Sequence, residues 1–199
     1  MACLKKDGRQ ELRELTRYRK SIIEERSREL NRLQKVLEGT NIKPGSVVAD
    51  IHGKSARRLL ERLAAGGAMD DSEEISKLLH KSLLSKLDEI MAALDGIVTP
   101  LQRALLTQIL DHIDDLDKRI QELDRMAETY MARFQPAIAE VCQMPGIARR
   151  SAEVILAETG IDMSRFPSAA HLCSWAGVCP GNHQSAGKRY HGKTRKGNQ

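Results

Sequence analysis

Apolar residues recur at three- and four-residue steps along the first part of the chain, from Glu11 to about Glu38. This segment contains neither glycine nor proline and consists mainly of strong helix formers. Its apolar positions share one helical face, whereas its arginines and lysines fall on the other faces. We therefore predict one long amphipathic helix that ends at Gly39, with an apolar face formed by Leu12, Leu15, Ile22, Ile23, Leu30, Leu33 and Leu37.

The middle of the chain repeats the helical period in two further segments. After a linker that contains Pro44 and a short helix, apolar positions from Ile75 to Leu94 predict a second long helix. Thr99 and Pro100 then begin a third helix, whose apolar residues alternate steps of three and four over four heptads, as in a coiled coil. These two helices could form an antiparallel hairpin or pair with a second subunit, and the pattern leaves both open. The repeat that needs a partner, called the seam below, comprises Leu106, Ile109, Ile113, Leu116, Ile120, Leu123, Ala127 and Tyr130.

Pro136 begins a region that is richer in glycine, proline, alanine and cysteine. The pattern there predicts two short helices joined by a tight turn at 144–148. A further helix follows Ser168 and stops at Gly177. Residues 179–199 show no hydrophobic period, and we predict a basic, glycine-rich loop or tail.

The predicted fold class is all-α. Aromatic residues make up only 3% of the 199 residues, so a core must rely on aliphatic side chains, which favours helices over a β-sandwich or barrel. We predict three domains: an arginine-rich helix and linker at 1–67, a helical coiled-coil region at 68–135, and a helix-hairpin-helix domain with its tail at 136–199.

The net charge of +5 is distributed unevenly along the chain. Residues 1–65 carry 16 Lys and Arg against 9 Asp and Glu, residues 66–141 carry 8 against 15, and residues 142–199 carry 8 against 3. Two basic ends therefore flank an acidic middle, which favours a polyanionic partner. No apolar run reaches the length of a membrane span, and four cysteines are too few for a disulfide framework. These observations predict a cytoplasmic protein with reduced thiols and no membrane partner.

The segment from Val141 to Gly160 fits a helix-hairpin-helix, in which backbone N–H groups at the start of the second helix meet a DNA phosphate. Ala148 stands where such hairpins usually have a second glycine. Two packed helices joined by an ordinary turn are the alternative interpretation. The predicted DNA-binding residues of this segment are Gly146, Ile147, Ala148, Arg149 and Arg150.

Ser185 lies between two glycines in the basic tail. A serine hydroxyl in a glycine-rich loop can approach a phosphodiester closely, and neighbouring cations can stabilise the developing charge. A solvated linker serine is the alternative interpretation. The cations of this tail, which we predict to contact DNA, are Lys188, Arg189, Lys193, Arg195 and Lys196.

Two clusters of possible metal ligands have simpler explanations. The first cluster comprises Cys173, Cys179, His183 and His191. Its sequence spacing does not place two ligands on one turn, as zinc sites usually require. We predict instead that Cys173 lies in the core. The second cluster comprises Asp111, Asp114, Asp115 and Asp117. Because all four residues lie outside the seam positions, we predict that they form a solvated acidic face of the helix. We therefore predict no metal site.

Four segments carry a resemblance to a known family: RELTRYRKSIIEERSRELNRLQKVLEGTNIK, MPGIARRSAEVILAETG, SRFPSAAHLCSWAGVCPGN and QSAGKRYHGKTRKGN. Through them, nearly the whole chain resembles the insertion-sequence transposases that join an N-terminal RuvC-like domain to a C-terminal serine-containing transposase domain. The resemblance implies a bacterial, nucleoid-associated DNA transposase or site-specific recombinase in which Ser185 attacks DNA and forms a phosphoserine link. A non-catalytic nucleic-acid-binding or dimerisation module is the alternative.

The resemblance also implies cofactors and partners. Four carboxylates of the RuvC-like domain would bind Mg²⁺, and an element-encoded structured RNA would choose DNA sites. DNA and a second copy of the chain, joined through the coiled coil, are the other expected partners. Because the chain begins almost at the arginine-rich helix and stops at Gln199, we expect a fragment that lacks the RuvC-like domain and the extreme C-terminus. Such a fragment would bind no metal and would not transfer DNA strands alone.

Overall fold

A computed structural model describes residues 8–42, 53–179, 183–185 and 187–190 of the chain. These residues are mainly helical, which confirms the predicted all-α class. The α-helices are α1 Gly8–Glu38, α2 Lys54–Ala64, α3 Ser72–Leu78, α4 Leu87–Ala93, α5 Pro100–Met131, α6 Gln135–Val141, α7 Arg149–Thr159 and α8 Ala169–Ala176. Shorter 3-10 helices occupy Lys81–Lys86, Ala132–Phe134 and Met163–Arg165, and two strands form a hairpin, β1 His183–Ser185 and β2 Lys188–Tyr190. No helix among the described residues combines the length and the apolarity that a membrane span needs.

The described residues fall into two compact units. One unit contains residues 14–130, and the other combines residues 8–13 with the described residues from 131 onward. The division into domains 1–67, 68–135 and 136–199 stays a prediction, because compactness does not reveal which parts fold independently.

Within the 14–130 unit, α1 and α5 pack in an antiparallel arrangement. Arg19 Nε donates to Asp124 Oδ1 at 2.6 Å, and Arg26 Nε donates to Asp117 Oδ1 at 2.6 Å. A step of seven residues forward along α1 thus corresponds to a step of seven residues backward along α5. Salt bridges at heptad spacing are typical of two helices that face each other along one seam.

The seam predicted on α5 is buried against other helices of the same chain. Leu116 is fully buried in a cluster with Ile22 of α1. Leu106 and Ile113 join the larger core, to which α1, α2, α3 and α4 also contribute. Tyr130, at the end of the seam, is 41% exposed. The seam is therefore covered without a second subunit, and self-association stays a prediction.

The prediction of one helix from Ile75 to Leu94 is wrong, because α3 and α4 are separated by a 3-10 helix. The backbone N–H of His80 donates to Ser55 Oγ of α2 at 2.9 Å, and the N–H of Ser82 donates to His80 Nδ1 at 3.3 Å. These bonds satisfy backbone donors that a continuous helix would have paired internally. The break therefore depends on a tertiary contact, and neither glycine nor proline marks it.

The predicted helix ends at Thr99 and Gly177 are confirmed. The N–H of Gln102 donates to Thr99 Oγ1 at 3.3 Å, and the N–H of Thr99 donates to Gln102 Oε1 at 2.9 Å. This reciprocal pair is a capping box at the start of α5. Gly177 ends α8 with a φ of +75°, the left-handed conformation of a helix C-cap.

In the second unit, α6 and α7 form a small core. Arg13 Nε lies 3.2 Å from Glu158 Oε2, and Arg13 Nη2 donates to the Glu158 carbonyl at 3.2 Å, so the start of α1 is tied to the end of α7. The apolar residues of this core are Leu12, Met131, Ile138, Ala152, Leu156 and Ala157.

The prediction that Cys173 lies in the core is wrong. Cys173 is exposed, and α8 contributes no buried residue. Trp175 instead packs edge-on against Phe166, with the ring centroids 5.5 Å apart. The apolar composition of α8 indicated burial, but whether a helix is covered depends on neighbouring elements that its own sequence does not specify.

The described part of the basic tail departs from the predicted loop, because residues 183–185 and 188–190 pair as strands. Three-residue strands are too short to produce a recognisable alternation of apolar and polar positions.

Candidate nucleic-acid interface

The turn between α6 and α7 is centred on Gly146, whose φ is +84°. Glycine adopts this conformation without the steric cost that a Cβ would bring. The N–H of Ile147 donates to the carbonyl of Met144 at 3.1 Å and closes the turn. No described atom lies within 4 Å of the position that a Cβ on Gly146 would occupy, so the turn has room for a partner. This geometry is compatible with both interpretations, the helix-hairpin-helix and the ordinary pair of helices.

The first turn of α7 presents backbone donors that the helix itself does not use. Ala148, the residue before α7, is extended and makes no side-chain cap. Its carbonyl accepts the N–H of Ala152 at 3.0 Å, which is the first bond of the helix. In general, the first N–H groups of an α-helix point out of its N-terminal end, where the helix dipole adds partial positive charge. An anion can satisfy such donors.

A buried carboxylate organises the two arginines at this helix start. Glu153 is only 2% exposed. Arg149 Nε donates to its Oε1 at 3.0 Å, and Arg150 Nη1 donates to its Oε2 at 2.9 Å. One carboxylate thus holds two guanidinium groups whose side chains remain about half exposed, and the three charges sum to +1. Sequence reasoning missed Glu153, although its spacing of four and three residues from the arginines could have indicated these pairs.

The β1–β2 hairpin contains the candidate nucleophile. Ser185 is the direct register partner of Lys188, and Gln184 is the partner of Arg189. Gly187 lies in the two-residue connection with a φ of +74°. The structure therefore brings together a serine and a lysine from the predicted set, while three of its cations lie outside the described residues, namely Lys193, Arg195 and Lys196.

Metal ligands are not grouped in the described part of the chain. No three His, Cys, Asp or Glu residues there are arranged to hold a metal ion. His191, one of the four zinc candidates, lies outside the described residues. Cys179 Sγ donates weakly to the carbonyl of Ala170 at 3.9 Å. The described residues therefore contain no fitting set of ligands for the Mg²⁺ that the resemblance implies.

Two of the four acidic residues predicted to form a solvated face on α5 pair with arginines of other helices. Asp114 and Asp117 are half-buried and accept hydrogen bonds at 2.6 Å from arginines of α2 and α1. The predicted solvated face is wrong for these two residues, because they hold helices together. Asp111 and Asp115 are exposed, as predicted.

One carboxylate between α7 and α8 has a perturbed pKa. The hydroxyl of Ser164 donates to Asp162 Oδ1 at 2.6 Å, and the backbone N–H of Ser164 donates to the same oxygen at 3.0 Å. These two bonds, the side-chain bond first, lower the pKa of Asp162. The lowered pKa reflects a local cap, because the Asp162 carboxylate accepts these bonds at the start of the 3-10 helix Met163–Arg165.

Comparison with known proteins gives the family. The sequence model of the Transposase IS116/IS110/IS902 family matches residues 138–199, which include α7 and the hairpin. The insertion element IS110 uncharacterized 43.6 kDa protein of Streptomyces coelicolor is 30% identical over 145 residues, which are 70% of this chain and 32% of that protein. The chain thus spans about a third of the length of the curated relative it matches. No solved structure matches the chain. Residues 138–199 therefore belong to the Transposase IS116/IS110/IS902 family, and the chain is similar to an insertion-sequence transposase.

Proposed function

We propose that this chain acts in DNA transposition, by binding the DNA backbone at the start of α7 and by supplying Ser185 as the nucleophile of strand cleavage. The observation that carries the proposal is the buried Glu153 carboxylate, which holds Arg149 and Arg150 at a helix start inside the matched transposase region. A pair of arginines fixed in this way loses less side-chain entropy when it meets a phosphate than two mobile side chains would.

Binding at this site is to the backbone and not to bases. Helix N–H groups and arginines recognise phosphate oxygens, which every sequence presents alike. The site therefore positions the protein on the duplex, and its affinity should fall steeply as salt rises, because phosphate contacts release counterions. Target choice would come from elsewhere in the assembly, including the structured RNA that the family resemblance implies.

The chemistry proposed for Ser185 is a transesterification. A bond forms between the serine oxygen and phosphorus, and one phosphorus–oxygen bond to a deoxyribose breaks. The serine proton passes, directly or through water, to the sugar oxygen that leaves, so the reaction needs no oxidant or reductant. The product is a phosphoserine link between protein and DNA.

DNA binding is tested on the chain itself with a labelled duplex over a range of salt concentrations. The double variant Arg149→Gln, Arg150→Gln should weaken binding and reduce the slope of log affinity against log salt by about 1 to 2. The matched control, Lys118→Gln with Arg119→Gln on α5, removes the same charge from the 14–130 unit. Equal losses in both double variants would mean that only net charge matters, and the α7 site would be wrong.

The nucleophile is tested in a full-length insertion-element relative that carries residues 138–199 of this chain, because the chain spans only about a third of its relative. Denaturing gels of end-labelled element DNA should show a protein-linked band that Ser185→Ala abolishes while DNA binding persists. A band that survives Ser185→Ala would refute the assignment. DNA binding without any band would favour the alternative, a non-catalytic nucleic-acid-binding or dimerisation module.

A further inference from the structure

The register of the hairpin separates its residues into two faces. Residues that lie directly opposite in an antiparallel pair share a face, and the faces alternate along each strand. Ser185 is opposite Lys188 and His183 is opposite Tyr190, so these four residues occupy one face of the ladder. The other pair, Gln184 with Arg189, lies on the opposite face. The sequence alone shows only a serine followed by two adjacent cations, whereas the pairing selects one of them.

We propose that Lys188 is a second catalytic residue, whose ammonium group binds a non-bridging oxygen of the phosphate that Ser185 attacks. This inference rests on the proposed function of Ser185. Directly opposite residues have Cβ atoms about 4.5–5.5 Å apart, close enough for a phosphate to be contacted by both side chains. Lys188 is exposed, so its cation is accessible to a DNA backbone.

Among the described residues, none fills the space beside the turn that joins this pair. Gly187 has a φ of +74°, and no described atom lies within 4 Å of the position that its Cβ would occupy. A glycine at this point allows a phosphodiester to approach the backbone next to both residues. Arg189 carries the same charge one residue later, but its place on the other face separates it from Ser185.

The role of the cation follows from the charge of the reacting group. A phosphodiester carries one negative charge, which repels an incoming oxygen nucleophile, and negative charge builds on its oxygens as the bond to serine forms. A lysine ammonium at that position neutralises the charge in the transition state. In this role Lys188 stays protonated, and the serine proton still ends on the leaving oxygen.

The experiment uses the full chain and two small phosphate esters whose leaving groups depart without being protonated. One is bis(para-nitrophenyl) phosphate, an anionic diester, and the other is its neutral methyl triester. Release of para-nitrophenolate gives the rate, and mass spectrometry locates the phosphoryl adduct on Ser185. Lys188→Gln should slow the reaction of the diester by about 100-fold and leave that of the triester nearly unchanged, since the triester has no charge to neutralise. Lys188→Arg should retain most of the diester reaction.

Arg165→Gln is the matched control, because it removes the same charge from the exposed 3-10 helix Met163–Arg165 of the same unit and leaves the hairpin intact. An equal loss in Arg165→Gln, a loss in Lys188→Arg, or an equal loss with the neutral triester would overturn the role of Lys188 while leaving Ser185 as the nucleophile. An adduct on Ser185 that Lys188→Gln leaves unchanged would do the same. Absence of an adduct on Ser185 with both reagents would overturn the role of Lys188 in this chain, whereas the nucleophile itself is decided by the protein-linked band of the full-length relative.

Discussion

Arg26 donates two hydrogen bonds to the carboxylate of Asp117, from Nε at 2.6 Å and from Nη2 at 3.3 Å. The two residues are 91 positions apart in the sequence. Together with the pair of Arg19 and Asp124, one heptad away, this contact sets the antiparallel register of α1 against α5. The apolar seam of α5 is thereby aligned with the apolar face of α1.

This register can be measured with a double-mutant cycle on unfolding free energy. Arg26→Gln and Asp117→Asn should show a coupling of about 0.5–1 kcal/mol, the size expected for a partly exposed ion pair with good geometry. Arg26→Gln combined with Asp124→Asn is the control, because Arg26 does not pair with Asp124, and its coupling should be near zero. Equal coupling in both cycles would contradict the register.

Burial of the seam inside the chain predicts that two leucines of α5 contribute differently to the free energy of unfolding. Leu116→Ala removes a fully buried side chain and should lower the free energy of unfolding by about 2–5 kcal/mol. Leu105→Ala is the control, because Leu105 is 44% exposed on the same helix, and its effect should stay within about 0.5 kcal/mol. Chemical denaturation gives both values. A similar, small effect for the two variants would mean that α1 does not cover the seam.

The conformation of Gly146 predicts that a methyl group is costly there even though space is available. Gly146→Ala should destabilise the chain by about 1–2 kcal/mol, because an L-residue is strained at a φ of +84°. It should also weaken DNA binding, since the turn precedes the start of α7. Gly146→Asn should cost less, because asparagine tolerates positive φ. Thermal unfolding and duplex binding are the measurements, and an alanine variant as stable as wild type would contradict the turn geometry.

An exposed ion pair on α3 predicts a local pH response. Lys77 Nζ donates to Glu74 Oε1 at 2.8 Å, and this contact, with a smaller contribution from Arg62, lowers the pKa of Glu74. A carboxyl whose pKa is lower in the folded state stabilises the fold above its unfolded pKa, and this contribution disappears as the pH falls through the folded pKa.

Lys77→Met should therefore raise the pKa of Glu74 toward its ordinary value, which a carboxyl-carbon NMR titration would follow. Lys118→Met is the control, because Lys118 pairs with Asp115 and should leave Glu74 unchanged. The same titration curve for Glu74 in wild type and Lys77→Met would show that the pair does not form in solution.

The sequence by itself determined the elements whose ends carry local signals. Thr99 with Pro100 marks the start of α5, Gly39 marks the end of α1, and Gly177 marks the end of α8. The signals at Thr99 and Gly177 act within one helical turn, through a cap bond and a left-handed φ. Gly39 directly follows Glu38, the last residue of α1, and the left-handed residue there is Asn41. The family resemblance was also readable, because it rests on continuous segments.

The tertiary structure alone decided which surfaces meet. The seam of α5 needed a partner, but only the folded chain selects α1, through contacts between residues about a hundred positions apart. The break at His80 depends on a hydrogen bond to Ser55 of another helix. Cys173 is exposed because the described elements do not bury α8. The pairing of Ser185 with Lys188 likewise depends on strand register, which short polar strands specify weakly. In each case the arrangement depends on contacts between separate segments of the chain. The pattern of residues along the chain does not show which of these segments lie close together in space.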